Sequence, residues 1–186
     1  MRYIASAALI FTLGVGGLYA YERPVKMTFS GTAGASAIDL QYPGRMTGED
    51  NFAGNGNLGS FTFREVESNG GSPQESSTCS GATKLYFTLQ VGAGVLSFGD
   101  GSSLVLNLRE GSDCIDTEAL VAHCIRVFDI KSGTGRFKNA KGTLTMEELL
   151  HPILANSSGP VFFVSAGGFT GSISGVQRDE DGHDDH

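Results

Sequence analysis

Three features of the sequence predict an all-β fold, an antiparallel β-barrel of about eight strands in a single domain. Short runs rich in β-branched and aromatic residues recur along the chain, as in Ile125-Arg126-Val127-Phe128-Asp129-Ile130. Within such runs apolar and polar side chains alternate with period two, as in Leu104-Val105-Leu106-Asn107-Leu108-Arg109. Glycine-rich turn signals separate them, and no long helical period intervenes. A barrel is preferred to an open sandwich because closure removes unpaired sheet edges.

Taken in order, residues 25–30 form the first strand. Residues 31–56 are rich in Gly, Ala, Asn and Asp, with a candidate strand at 37–42 ahead of Pro43-Gly44 and a turn signal at Asn55-Gly56. Residues 58–67 alternate, with Phe61 and Phe63 on one face and Thr62 and Arg64 on the other. The polar stretch 68–80 reads as a loop. Residues 84–91 place Leu85, Phe87, Leu89 and Val91 on one face, and strands 95–98 and 104–109 meet through Gly99-Asp100-Gly101.

A cysteine-bearing connection leads to strands 125–130 and 143–148. Residues 149–154 read as a helical turn or irregular crossing limited by Pro152. Residues 161–164 are apolar on both faces and should be covered on both sides, and 167–176 close the sheet. Between the two central strands, Gly133, Gly135 and Gly142 allow positive φ or close backbone approach. Phe137 among them is placed to plug one end of the barrel.

Gly133-Thr134-Gly135-Arg136-Phe137, with Ala140-Lys141-Gly142-Thr143-Leu144-Thr145 after it, resembles a signature of small secreted bacterial proteins. Those are grouped with the allene oxide cyclase-like barrels, whose plant relatives include the dirigent proteins. The terminal run Gly168-Phe169-Thr170-Gly171-Ser172-Ile173-Ser174-Gly175 adds weaker support. The resemblance implies an antiparallel barrel with a hydrophobic interior. It implies no particular activity, because function resides in sites placed on folds.

Composition bounds the partners. Of 186 residues, 40% are hydrophobic and 18% charged, enough for one ordinary core. Glycine, at 27 residues, is about twice its average share, in keeping with many turns and bulges. A formal charge of −7 without a basic stripe argues against nucleic acid and anionic membranes.

Residues 1–20 begin with Arg2, continue through an apolar run from Ile4 to Val15, and end at Leu18-Tyr19-Ala20, the pattern of a signal peptide. The run is short for a bilayer span, so no membrane span is expected after cleavage. The chain is thus expected to be exported to the periplasm, cell envelope or medium. Residues 21–176 would form the barrel and 177–186 a disordered acidic, histidine-containing tail.

Export permits a disulfide, and three cysteines permit one intramolecular pair in three alternative ways. Cys79 with Cys114 is favoured, since both sit in polar, Ser- and Gly-containing contexts. Cys124, among apolar neighbours, is expected as a buried free thiol. No cysteine or histidine spacing suits zinc, and neither metal nor cofactor is expected.

No catalytic motif stands out. Glu147 and Glu148 face opposite sides of a strand, so only one can point inward; His123 and Cys124 are opposed in the same way. His151 has no identifiable partner, and His183 and His186 lie in the acidic tail. Arg64, Arg109 and Arg126 are expected at the surface. One turned inward would require a carboxylate, with Asp129 or Glu147 the nearest candidates, and such a pair could orient a polar ligand head. Asn156-Ser157-Ser158 fits a glycosylation sequon.

Phe61, Phe63, Phe87 and Phe128 are the candidate lining of an apolar cup, although the same rings would serve a solid core. The leading expectation is therefore an exported, noncatalytic barrel that binds a small hydrophobic molecule or acts as an envelope interaction module. An isomerase or cyclase resembling the allene oxide cyclases is the alternative, distinguished by a polar group at the pocket base. A purely structural secreted barrel is the third. An apolar exterior around 161–164 would favour a homo-oligomer.

Overall fold

The computed structural model describes residues 21–38, 40, 46–157 and 159–177. The leader 1–20, residues 39, 41 and 42 of the candidate strand 37–42, Ser158 of the sequon and tail residues 178–186 lie outside them, and residues 37, 38 and 40 are not in a strand. Period-two alternation is realised in eight strands: β1 (Arg23–Ala35), β2 (Thr47–Gly56), β3 (Phe61–Asn69), β4 (Lys84–Phe98), β5 (Ser103–Asp116), β6 (Val121–Thr134), β7 (Lys141–Asn156) and β8 (Gly159–Ser174). Each pairs antiparallel with the next, and β8 returns to β1, so the sheet closes as a barrel.

The strands are longer than the sequence predicts. β4 runs unbroken through Gly92-Ala93-Gly94, where two separate strands are expected from the loss of side chains. β5 and β6 extend into the expected cysteine connection, so Cys114 is a strand residue like Cys124. Residues 149–154 belong to β7. Pro152 is tolerated there because the β7–β8 register shifts beside it, relaxing the ladder. In β8, Val161 and Phe163 line the interior, but Phe162 and Val164 remain 40% and 41% exposed outside, contrary to the expected cover on both faces.

Inward positions of the half where β1 begins and β8 ends are filled with large apolar side chains. Phe29 stacks on Phe52 with ring centroids 4.4 Å apart. Phe63 meets Phe128 and Phe169 edge-on at 6.1 and 5.1 Å. Such geometries add to area burial because positive ring edges face negative ring faces. Leu96, Leu104, Leu106, Leu144 and Met146 complete the layer and are fully buried.

The 3-10 turn Gly135–Phe137 caps this end. Gly135 has φ of 55°, a left-handed conformation open to glycine at little cost, and it swings Phe137 back under the barrel. Phe137 is wholly buried, 4.7 Å from the Phe98 ring, and Arg136 lies over both rings. Arg136 also donates from Nη2 to the Leu58 carbonyl at 2.6 Å. At the other end, Cys79 and Cys114 form a disulfide that ties the 70–83 loop to β5, as favoured from the sequence. A loop of that length is stabilised by about 3–4 kcal/mol in the chain-entropy account. Cys124 is a buried free thiol.

Phe137→Ala should cost about 3–5 kcal/mol in urea unfolding at unchanged m-value, the range for a buried Phe truncated to Ala. A loss below about 1 kcal/mol would show that the turn does not hold the barrel end closed.

Candidate functional site

Toward the other end, the inward positions change chemistry without changing phase. In β3 the inward series runs Phe61, Phe63, Glu65, Glu67; in β7 it runs Leu144, Met146, Glu148. β2 contributes Asp50 one step beyond Phe52, and β6 contributes Arg126 one step beyond Phe128. In β5 a register shift between Leu108 and Glu110 reverses the phase, and Asp113 turns inward as a result. The outcome is a charged layer across the barrel interior.

Arg126 is its centre and is 2% exposed. Its Nη1 donates to Glu148 Oε2 at 2.6 Å, and Ser165 of β8 donates to the other oxygen of Glu148. Nη2 lies 3.4 Å from Asp50, 3.7 Å from Glu67 and 4.0 Å from Asp113, while Nε lies 3.7 Å from Glu65. The guanidinium therefore bonds one carboxylate directly and holds four more by longer-range attraction. Gly92 makes room for Glu65 and Glu67, since a Cβ there would fall 3.0 Å from Glu67 Cβ and 3.3 Å from Glu65 Oε1.

Five ionised carboxylates around one cation would leave the layer strongly negative in a medium that solvates charge poorly. Protons are the available compensation. Burial pushes the Glu65 carboxyl up to about 8 and that of Glu67 up to about 7; attraction to Arg126 opposes this, and the neighbouring carboxylates reinforce it. Burial raises Asp50 well above the usual carboxylate range for the same reasons. The Cys124 thiol is also pushed up, first by burial and then by Asp113, so it is a poor nucleophile. The Arg126 guanidinium is held firmly in its charged form, because the attraction of Asp50, Glu65, Glu148 and Asp113 outweighs its burial. Asp50 Oδ2, both oxygens of Glu65, Glu67 Oε2 and Asp113 Oδ1 have no hydrogen-bond partner within the protein.

Beyond this layer the barrel is hollow. A cavity of about 710 Å³ opens at this end, with Asp50, Glu67, Asp113, Cys124 and Arg126 in its floor. Its walls carry Ala33, Phe87, Ile115, Leu150, Pro152 and Phe163, with Met46 and Leu120 at the rim. The volume lies within the usual range for small-molecule sites, and an apolar wall with a few convergent polar groups is their usual chemistry. Such a floor can accept hydrogen bonds, oppose a cation, or hold and release a proton near neutral pH.

The expected cup residues divide between the two halves. Phe87 lines the cavity, whereas Phe61, Phe63 and Phe128 pack in the filled half. Of the three arginines weighed, Arg126 is inside, not at the surface as expected. Its partners are neither Asp129, which pairs with Arg109 outside, nor Glu147, which faces outward. Glu148 is the inward member of the adjacent pair. His123 and His151 are exposed on the exterior.

Asp50, Glu65, Glu67 and Asp113 were not anticipated. Carrying the Phe61–Phe63 alternation two steps further would have found the two glutamates, and no sequence signal marks the shift that turns Asp113. Among the described residues no group of histidine, cysteine and carboxylate side chains could hold a metal ion, and no helix is long and apolar enough to cross a membrane.

No family model matches the chain, and no curated protein matches it. Among solved structures it is similar to the pterocarpan synthase dirigent protein PsPTS1, at 11% identity over 85% of this chain and 97% of that one, with a TM-score of 0.45. It is also similar to the pterocarpan synthase dirigent protein GePTS1, at 10% identity over 85% and 87% of the two chains, with a TM-score of 0.38. The expected antiparallel barrel of about eight strands rests on the strand pairing itself.

The raised carboxyls set a pH dependence of stability. In the folded state Glu65 and Glu67 keep their protons to about 8 and about 7, whereas the unfolded chain releases them near 4.5. The folded state therefore binds more protons between these limits, and stability is greatest below the unfolded value and falls as pH rises. Urea midpoints should decline from pH 5 to pH 8, and the decline should be shallower in E65Q/E67Q. Equal midpoints for the native chain at both pH values would remove this account of the layer.

Proposed function

We propose that this chain is an exported, noncatalytic β-barrel that binds a small, largely apolar molecule in the open half of its interior. The observation that carries the reading is the cavity of about 710 Å³ with apolar walls above a charged floor. A barrel meant only as a rigid scaffold gains nothing from leaving half its interior empty, since unfilled apolar space forfeits dispersion contacts. The filled half supports the stability that the hollow half gives up. Export is supported by the Cys79–Cys114 disulfide, a bond that persists in oxidising compartments, and by the leader pattern of residues 1–20.

Two wall substitutions test the cup. Ala33→Phe and Ala122→Phe both add a ring at cavity-lining positions. Each should weaken binding of a neutral apolar fluorophore about tenfold or more, the effect of lost burial and overpacking. Native-state mass spectrometry of protein purified after export should show a small-molecule adduct that denaturation releases. Unchanged fluorophore binding in both variants would place the binding elsewhere.

A second reading is favoured by one observation. Carboxyls that keep a proton near neutral pH stand at the base of an apolar pocket, where a confined reactive substrate could be protonated. On this reading the chain is an isomerase or cyclase that rearranges an apolar substrate such as a strained epoxide. Turnover above background should then fall as pH rises through about 7, following the proton on Glu67. Rates that survive D50N, E65Q and E67Q together would exclude it.

A further inference from the structure

The charged floor has a marked imbalance of charge, with five carboxyl groups around one guanidinium. Asp50 from β2, Glu67 from β3 and Asp113 from β5 reach the cavity, and each has a buried oxygen without a hydrogen-bond partner in the protein. Behind them Glu65 has two. Opposite them stands Arg126 of β6, whose Nη1 is committed to Glu148 of β7 and whose Nε has no hydrogen-bond partner in the protein. Ser165 of β8 is likewise committed to Glu148. Cys124 adds a weak donor, and β1 and β4 bring no charged group to this layer. The floor therefore sets five carboxyl groups against one cation, and its surplus is one of negative charge wherever those groups are ionised.

The identity of the polar end of a ligand follows from that imbalance. A carboxylate or phosphate head could reach Arg126 Nη2 only between Asp50, Glu67 and Asp113, which stand 3.4, 3.7 and 4.0 Å from it. It would add negative charge to a layer in which five carboxyl groups already face one guanidinium. A ketone or ether head can accept from a carboxyl that holds its proton, but it brings no positive charge to offset the excess. A protonated amine brings up to three donors and one positive charge on a compact head, matching three carboxyl groups from three strands. An inorganic cation is a poorer match, because the guanidinium already occupies the centre of the layer and the carboxyls are not set in a metal-binding group.

Resting on the reading of the cavity as a binding cup, we propose that its ligand is an amphipathic amine, seated with its ammonium group against Asp50, Glu67 and Asp113 and its apolar body along Phe87 and Phe163. Binding an ammonium favours ionised carboxylates, so seating the ligand expels protons held by the floor. The groups facing the head are Asp50, Glu65, Glu67, Asp113, Cys124, Arg126 and Glu148, and burial holds the Glu67 carboxyl at about 7. Alkylammonium groups remain charged there, with pKa near 10. Amine affinity should therefore rise from pH 6 to pH 8 with measurable proton release, while the affinity of a matched alcohol should not.

The test is isothermal titration of the full chain with octylamine, 1-octanol, 2-octanone and octanoate, which share a tail length and differ in the head. Octylammonium should bind about tenfold or more tighter than octanol, as expected for hydrogen bonds to charged groups, with octanoate weakest. In E67Q and in D50N/E67Q that preference should shrink to about threefold or less. If all four bind equally, or the ketone or octanoate binds tightest, the amine assignment is overturned and the cup stands. If none binds, while the protein remains folded by circular dichroism, the cup reading fails with it.

Discussion

The interior depends on a single guanidinium. Arg126 draws together carboxyl groups from β2, β3, β5 and β7, and through Glu148 it reaches Ser165 on β8. Attraction therefore crosses the barrel between strands that are not sheet neighbours. Lysine could not replace it, because a compact ammonium has three donors from one atom, whereas the guanidinium spreads its charge over a plane with five. Burying such a group is costly unless it is surrounded by opposite charge, and surplus carboxyls are tolerable only if some keep their protons. The layer is thus a compromise between attraction to one cation and repulsion among its counterions.

That compromise divides the barrel. Below the layer, phenylalanine, leucine and methionine side chains fill the cross-section, with Phe29 stacked on Phe52 and Phe63 set edge-on between Phe128 and Phe169. Above it, inward positions fall to smaller residues such as Ala33 and Ala122, and the cross-section stays open. An eight-stranded barrel is wide enough for either arrangement, and side-chain size decides which. The packed half, capped by Phe137, supplies the cohesion that allows the other half to remain a cup. The disulfide at Cys114, next to Asp113, anchors the loop at the open end.

On the proposed readings, the floor joins recognition to proton occupancy. A head group that brings positive charge displaces protons, and one that needs a proton finds it on a carboxyl held near neutrality. Binding and acid catalysis thus draw on the same physical property, burial of carboxyls around too little positive charge. Which use prevails depends on whether the bound molecule is reactive. In both cases the apolar walls exclude water and leave the floor as the polar contact that selects the head.

The sequence by itself determined the barrel, its approximate strand count and the turn that carries Phe137, and it favoured one disulfide pairing of three that the structure then decided. These depend on local properties: period-two alternation, the conformational freedom of Gly135, and a large apolar residue in a tight connection. Alternation also contained part of the site, since the phase that turns Phe61 and Phe63 inward turns Glu65 and Glu67 inward as well. The tertiary structure alone decided the rest. A register shift in β5 turns Asp113 inward beside Arg126 on the neighbouring strand, and closure of the barrel brings Asp50 of β2, far away in the chain, within reach of the same guanidinium. Local pattern tells which face a side chain takes. Only the closed sheet sets which distant faces meet, because strand stagger and bulges are properties of pairing between strands and not of any one strand.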